Sequence, residues 1–234
     1  IEYKTFWEKL NRGEFESAEY KRLGKGGKEV WIQASYNPIR DLNGQPFKVV
    51  KYASDVTEQK LKNADFSGQI NAIGMSQAVI EFNMDGSIIT ANDNFLTTMG
   101  YTLDEIRGKH HSMFAEPDFA RSREYKAFWE KLNHGEFESE EYKRLGKGGK
   151  EVWIQASYNP IMDLNGQPFK VVKYATDITA RKKAVEEIKE VLMTLSKGNL
   201  SNSIKNELAG EFSVVGNSLN DLIGILNDMV GDIR

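Results

Sequence analysis

Residues Glu2–Thr57 recur as Glu124–Thr179 at a constant offset of 122, without a gap. Only six positions differ: Thr5/Ala127, Arg12/His134, Ala18/Glu140, Arg40/Met162, Ser54/Thr176 and Val56/Ile178. A repeat this long exceeds solenoid periods and points to two copies of a domain-sized unit. The second copy is preceded by a front half, roughly 66–123; the first is not. Within each copy the pattern reads as a helix followed by three strands. Phe128, Trp129 and Leu132 fall at helical spacing, with Gly135 as a stop. The turns Gly146-Lys147-Gly148-Gly149 and Asp163-Leu164-Asn165-Gly166 separate runs rich in β-branched and aromatic residues, and Asn-Gly is a strong hairpin signal. The Gly-rich turn lacks phosphate-loop spacing.

The front half reads strand, turn, strand, then short helices. Ala78–Asn83 is apolar, Met84-Asp85-Gly86 turns, Ser87–Ala91 returns, Asn92–Met99 is helical, and Thr102 with Glu105 forms a capping box. The complete unit is therefore α+β. Residues 1–57 alone expose an unpaired edge. Simple truncation accounts for them; the alternative is that both back halves compete for the one front half, closing a permuted sheet against Val79–Ala91.

Charges nearly balance, 31 basic against 34 acidic residues, and no basic stripe marks a nucleic-acid partner. The absence of cysteine excludes disulfides and thiolate chemistry and fits a reducing compartment. No apolar run reaches membrane-spanning length. The expected location is cytoplasmic, with Ile1 in place of Met leaving room for an anchor upstream in the parent protein. Ser, His and Asp residues form no catalytic spacing, so an enzyme is not expected.

Phe82-Asn83-Met84-Asp85-Gly86, Ala91-Asn92, Phe95, Gly100-Tyr101, Gly108-Lys109-His110-His111 and Asp177-Ile178-Thr179 resemble the PAS family, in particular the PAS domains of bacterial energy-taxis and biofilm-dispersion chemoreceptors. The resemblance implies a five-stranded antiparallel sheet with short helices. It divides the chain into a truncated PAS half (1–57), a linker (58–67), a complete PAS domain (68–179) and a helical segment (180–234). Between sheet and helices it implies a ligand pocket, with His111, His110, Asn92, Phe95, Met113, Trp129, Ile154, Ala156 and Tyr158 as candidate cofactor-binding residues. Adjacent residues on a helical turn point about 100° apart, so at most one of the two histidines faces inward. By resemblance that one is His111. It ligates the iron if the cofactor is haem b, and it lines the ring with Trp129 if the cofactor is FAD; a cofactor-free pocket is the third reading. The same position holds the reactive cysteine of light-sensing LOV domains, a chemistry this chain cannot perform. Period two puts Val152, Ile154, Ala156 and Tyr158 on one strand face and Trp153 on the other; by resemblance the first set faces the pocket. Asn92 and Asn94 either bind ligand or cap the following helix.

After Thr179 the pattern changes to heptads. Val185, Ile188, Leu192 and Leu195 form one stripe, and Phe212, Val215, Leu219, Leu222, Leu226, Met229 and Ile233 a second. With the connector Gly198-Asn199-Leu200 they resemble a divergent HAMP domain. The expected whole is a sensory module, homodimeric through these helices and the PAS unit, feeding a chemotaxis signalling domain downstream. Alternatives are a cofactor-free dimerisation relay and the sensor half of a histidine kinase or cyclic-nucleotide enzyme.

Overall fold

The computed structural model describes residues 2–206, 208 and 210–231, in two compact units, Ile1–Ile73 and Gly74–Arg234. The first unit begins with α1 (Glu2–Asn11), followed by β1 (Glu16–Leu23), β2 (Glu29–Arg40) and β3 (Pro46–Asp55). These strands form their own antiparallel sheet in the order β1-β2-β3. The permuted sheet with Val79–Ala91 therefore does not form. Phe6 of α1 sits edge-on to Tyr36 at 4.8 Å, yet among the described residues of this unit only Leu10 and Ala34 are fully buried. Next comes α2 (Thr57–Ser76), which includes residues 58–67 and buries none of its side chains.

The second unit opens with β4 (Ala78–Asn83) and β5 (Ile88–Ala91), joined by a turn whose Gly86 takes φ +83°. Such a φ favours glycine. Short helices follow: α3 (Asp93–Met99), α4 (Leu103–Ile106), a 3-10 turn at His111–Phe114, α5 (Pro117–Ala120) and α6 (Arg123–Asn133). The capping box closes α4, with the Thr102 amide donating to the Glu105 carboxylate at 2.9 Å. Strands β6 (Glu138–Leu145), β7 (Glu151–Met162) and β8 (Pro168–Asp177) complete a five-stranded antiparallel sheet ordered β5-β4-β8-β7-β6. Strand β4 pairs with β8 (Phe82 opposite Val171), so the front half joins the back half directly.

Alternation decides what enters the core. Ala78, Ile80 and Phe82 of β4, Val152, Ile154, Ala156 and Tyr158 of β7, and Val171 and Ala175 of β8 are buried. Phe95, Met99, Ile106, Phe114, Tyr125, Trp129 and Leu132 cover them from the helices.

Helix α7 (Thr179–Leu195) and helix α8 (Glu211–Gly231) build a second small core. Ala184, Val191, Ile204, Leu208, Leu219 and Ile223 form it, with Ile188, Leu195 and Phe212 against them. The heptad stripes divide: Ile188, Leu195, Phe212 and Leu219 turn inward, whereas Val185, Leu192, Val215, Leu222 and Met229 stay exposed. Ile233 lies outside the described residues. Among the described residues no helix is long and apolar enough to cross a membrane.

Candidate functional site

The segment Gly108–His111 runs beside the β4–β5 turn and leads into the 3-10 turn at His111–Phe114. The Ile88 amide donates to the Lys109 carbonyl and the His111 amide to the Gly86 carbonyl, both at 2.8 Å. Ser87 and His110 form an isolated antiparallel bridge. His110 caps the 3-10 turn that begins at His111, and the two side chains part at that point. His111 points into the core and is fully buried; His110 stays at the surface, its Nδ1 accepting from the Ser112 amide at 3.1 Å.

His111 is enclosed by rings. Phe82 lies 5.2 Å away edge-on, Tyr158 5.5 Å, Trp129 5.6 Å, Tyr125 5.7 Å and Phe128 6.0 Å between centres. Both ring nitrogens are engaged, Nδ1 with the Tyr125 hydroxyl at 2.8 Å and Nε2 with the Tyr158 hydroxyl at 3.0 Å. Burial, and after it the positive charges of Arg144 and Lys173, hold the His111 pKa well below its ordinary value, so the ring is neutral near pH 7.

The Tyr158 hydroxyl is a junction. It accepts from Arg144 Nη2 at 3.4 Å, and Lys173 Nζ lies 4.9 Å from the Tyr158 ring centre. Burial by itself raises the Tyr158 pKa; Lys173 and Arg144 outweigh it and bring the pKa below its ordinary value. Burial pushes Tyr125 up to about 12.

The remaining predicted residues have separate places. Ile154, Ala156 and Tyr158 face inward together, and Trp129 packs 5.9 Å from Phe82. Phe95 is buried 5.3 Å from Phe114, and Met113 packs at the edge of the core. Asn92 is consumed by backbone: its Oδ1 accepts from Val79 (2.9 Å) and Phe95 (3.0 Å), and its Nδ2 donates to Gly74 (2.9 Å) and Gln77 (2.8 Å). It caps α3 and ties it to β4. Asn94 donates to the Gly74, Met75 and Gln77 carbonyls. Trp153 lies on the outer sheet face, with Lys182 Nζ 4.9 Å from its ring.

Sequence reasoning missed Tyr125, Arg144 and Lys173. Lys173 had a usable signal: on β8 it shares the period of Val171 and Ala175, and it is the cross-strand partner of Tyr158.

The same strand that carries Tyr158 also holds the helix beyond the sheet. The Trp153 amide donates to Thr179 Oγ1 at 2.9 Å, and the Ile178 amide donates to the Trp153 carbonyl at 2.8 Å. The Thr179 amide donates to Asp177 Oδ1 at 2.8 Å. On the outer side, Glu141 of β6 pairs with Arg181 and Lys182 of α7, each at 2.5 Å.

A five-stranded antiparallel sheet with short helices packed on it and a strand-held exit helix defines a PAS sensor unit, and the chain belongs to the PAS fold family. The family profile matches residues 2–53 and 88–175, and a HAMP domain profile matches 178–228. Among characterised proteins the chain is similar to the biofilm dispersion protein BdlA of Pseudomonas aeruginosa, at 42% identity over 77% of this chain and 43% of the relative. It is also similar to the aerotaxis receptor of Escherichia coli, at 32% identity over 34% of this chain and 16% of the relative. The chain thus spans less than half of the length of either relative. Among solved structures, a PAS domain from Colwellia psychrerythraea aligns at 23% identity and TM-score 0.44, covering 49% of this chain and 97% of that one.

Haem and flavin are the groups this family suggests. Axial ligation requires a bare imidazole nitrogen, and both nitrogens of His111 are bonded to tyrosines. A flavin ring requires a flat slot, and the fully buried rings of Phe82, Phe114 and Tyr158 fill the interior around His111. In this arrangement the residues fit neither group.

Proposed function

We propose that this chain is the sensing and relay portion of a chemoreceptor-type signalling protein, working on the cytoplasmic side as a homodimer and feeding a chemotaxis signalling domain. The second PAS core receives the stimulus, and the HAMP segment passes it on. The single observation that carries the reading is that β7 does two things at once. On one face it presents Ile154, Ala156 and Tyr158 to the core, and through the Trp153 backbone it holds Thr179 at the start of α7. A shift of Tyr158 therefore moves the strand that anchors the helix, and the HAMP helices are an element of the kind a small strain can bias.

The exposed apolar residues Val185, Leu192, Val215 and Leu222 support pairing with a second copy. The filled core supports the reading without haem or FAD, a small ligand or no cofactor, over either group. The absorption spectrum of the purified protein separates these: a flat visible trace is expected, whereas a Soret band or a flavin doublet overturns that preference.

The relay itself is tested by hydrogen exchange. Tyr158→Phe is expected to change amide exchange in α7, and Thr179→Val is expected to cancel that change while α7 remains helical. A Tyr158→Phe protein whose α7 exchanges as the parent's does overturns the relay.

A further inference from the structure

Among the described residues, the buried charged groups of the second unit are Arg144 and Lys173, 3% and 1% exposed, and no carboxylate is buried with them. Neither forms a salt bridge among the described residues. Two buried polar atoms of the cluster stand without a partner. Arg144 Nε, a donor only, has no partner, and the Tyr142 hydroxyl, with Arg144 stacked 4.5 Å from its ring, has none either. Lys173 has three N–H groups, and its Nζ faces the rings of Tyr158 and Phe95, 4.9 and 5.6 Å from their centres. Buried cations without an anion are strongly unfavourable. A protein that keeps two of them around one hydroxyl is arranged for an incoming anion.

The first unit shows that this arrangement belongs to the sheet itself. There Arg22 lies 4.5 Å from the Tyr20 ring and reaches the Tyr36 hydroxyl at 3.5 Å, Lys51 lies 5.2 Å from the Tyr36 ring, and the Tyr20 hydroxyl again lacks a partner. A cavity of about 810 Å³ borders Tyr20, Arg22 and Tyr36, with Phe6 and Trp7 as its apolar wall.

We infer that Arg144, Lys173 and the Tyr142 hydroxyl form the recognition end of a carboxylate site around Tyr158, taking a small organic acid whose apolar body lies against the neighbouring aromatic rings. The inference rests on the sensory reading above and names its ligand class. A carboxylate supplies the missing negative charge and acceptor oxygens in one group, and paired with Arg144 its hydrogen bonds are of the strong, charge-assisted kind. Binding also displaces the Tyr158 hydroxyl from its role as acceptor for Arg144, which is a change on β7 itself.

Thermal unfolding of the whole chain tests this, with acetate, benzoate and succinate at about 10 mM as probes and benzyl alcohol, phosphate and chloride as controls. At least one carboxylate is expected to raise the midpoint where the alcohol does not. Titration calorimetry is expected to show affinity falling at least about tenfold in Lys173→Met and Arg144→Met, and retained in Lys173→Arg. Circular dichroism confirms that each variant is folded, and Lys173→Arg against Lys173→Met still decides the matter if Arg144→Met does not fold. The inference is overturned if no carboxylate binds, if phosphate or chloride acts equally well, or if binding survives in Lys173→Met. It is also overturned if the near-ultraviolet phenolate band shows Tyr158 ionised at neutral pH and supplying the anion internally. The relay is judged by exchange in α7 and this site by binding, so either can fail alone.

Discussion

Tyr158 and His111, separated by 47 residues, meet hydroxyl to Nε2 at 3.0 Å in the centre of the second PAS core. One comes from the repeated back half and the other from the unrepeated front half. The bond joins the two halves where sheet and helices face each other, and it is the point at which a ligand-driven change on one side reaches the other.

Removing the Tyr158 hydroxyl leaves a buried imidazole nitrogen and the Arg144 Nη2 without their shared partner. Tyr158→Phe is therefore expected to lower stability by about 2–4 kcal/mol, read as a fall in the urea midpoint at unchanged slope.

His111 gives a pH signature. Its folded pKa is depressed by burial and by Arg144 and Lys173, so below about 6.5, the ordinary value for histidine, the unfolded chain binds a proton that the folded chain refuses. The stabilising contribution is full above that pH and is lost on acidification, by up to about 1.4 kcal/mol per pH unit. Urea unfolding across about pH 5.5–7.5 should show this slope, and His111→Gln should lack it.

The repeat supplies a paired control at two glycines. A Cβ on Gly146 would lie 2.6 Å from the Met99 carbonyl oxygen, a backbone atom of α3, whereas the nearest atom to one on Gly24 is 3.4 Å away. Gly146→Ala is expected to destabilise the second unit by about 1–3 kcal/mol, and Gly24→Ala to leave the first unit's unfolding nearly unchanged. Hydrogen exchange resolved by unit reads both.

Val215 and Leu222 are half exposed on α8, 49% and 46%. If they are the seam between two copies, replacing both by Asp is expected to turn a dimer into a monomer in analytical ultracentrifugation while α7 and α8 keep the core centred on Val191 and Leu219.

Much of the fold was legible locally. The turn at Gly86, the Thr102 capping box and the alternation of Val152, Ile154, Ala156 and Tyr158 all follow from short-range chemistry and appear in the structure. The heptad stripe was legible as a period only. Which of its members face the local core depends on where Ile204 and Leu208 of the connector lie against α8, and that placed Leu219 and Ile223 inside and Leu222 outside. The candidate site was legible in its aromatic members. Its cations were not, because Arg and Lys on a strand ordinarily mark the solvent face.

The two copies show what sequence determines and where it stops. They differ at six positions, and their strand registers correspond residue for residue, Glu16 opposite Tyr36 as Glu138 is opposite Tyr158. Turn chemistry and strand alternation were enough to set that much. Yet Lys51 is exposed on its sheet, and its counterpart Lys173 is 1% exposed beneath β4 and α3. The chain's own letters are the same at both places. Burial, and with it the unsatisfied charge on which the site depends, was decided by the neighbouring elements that exclude water from one copy.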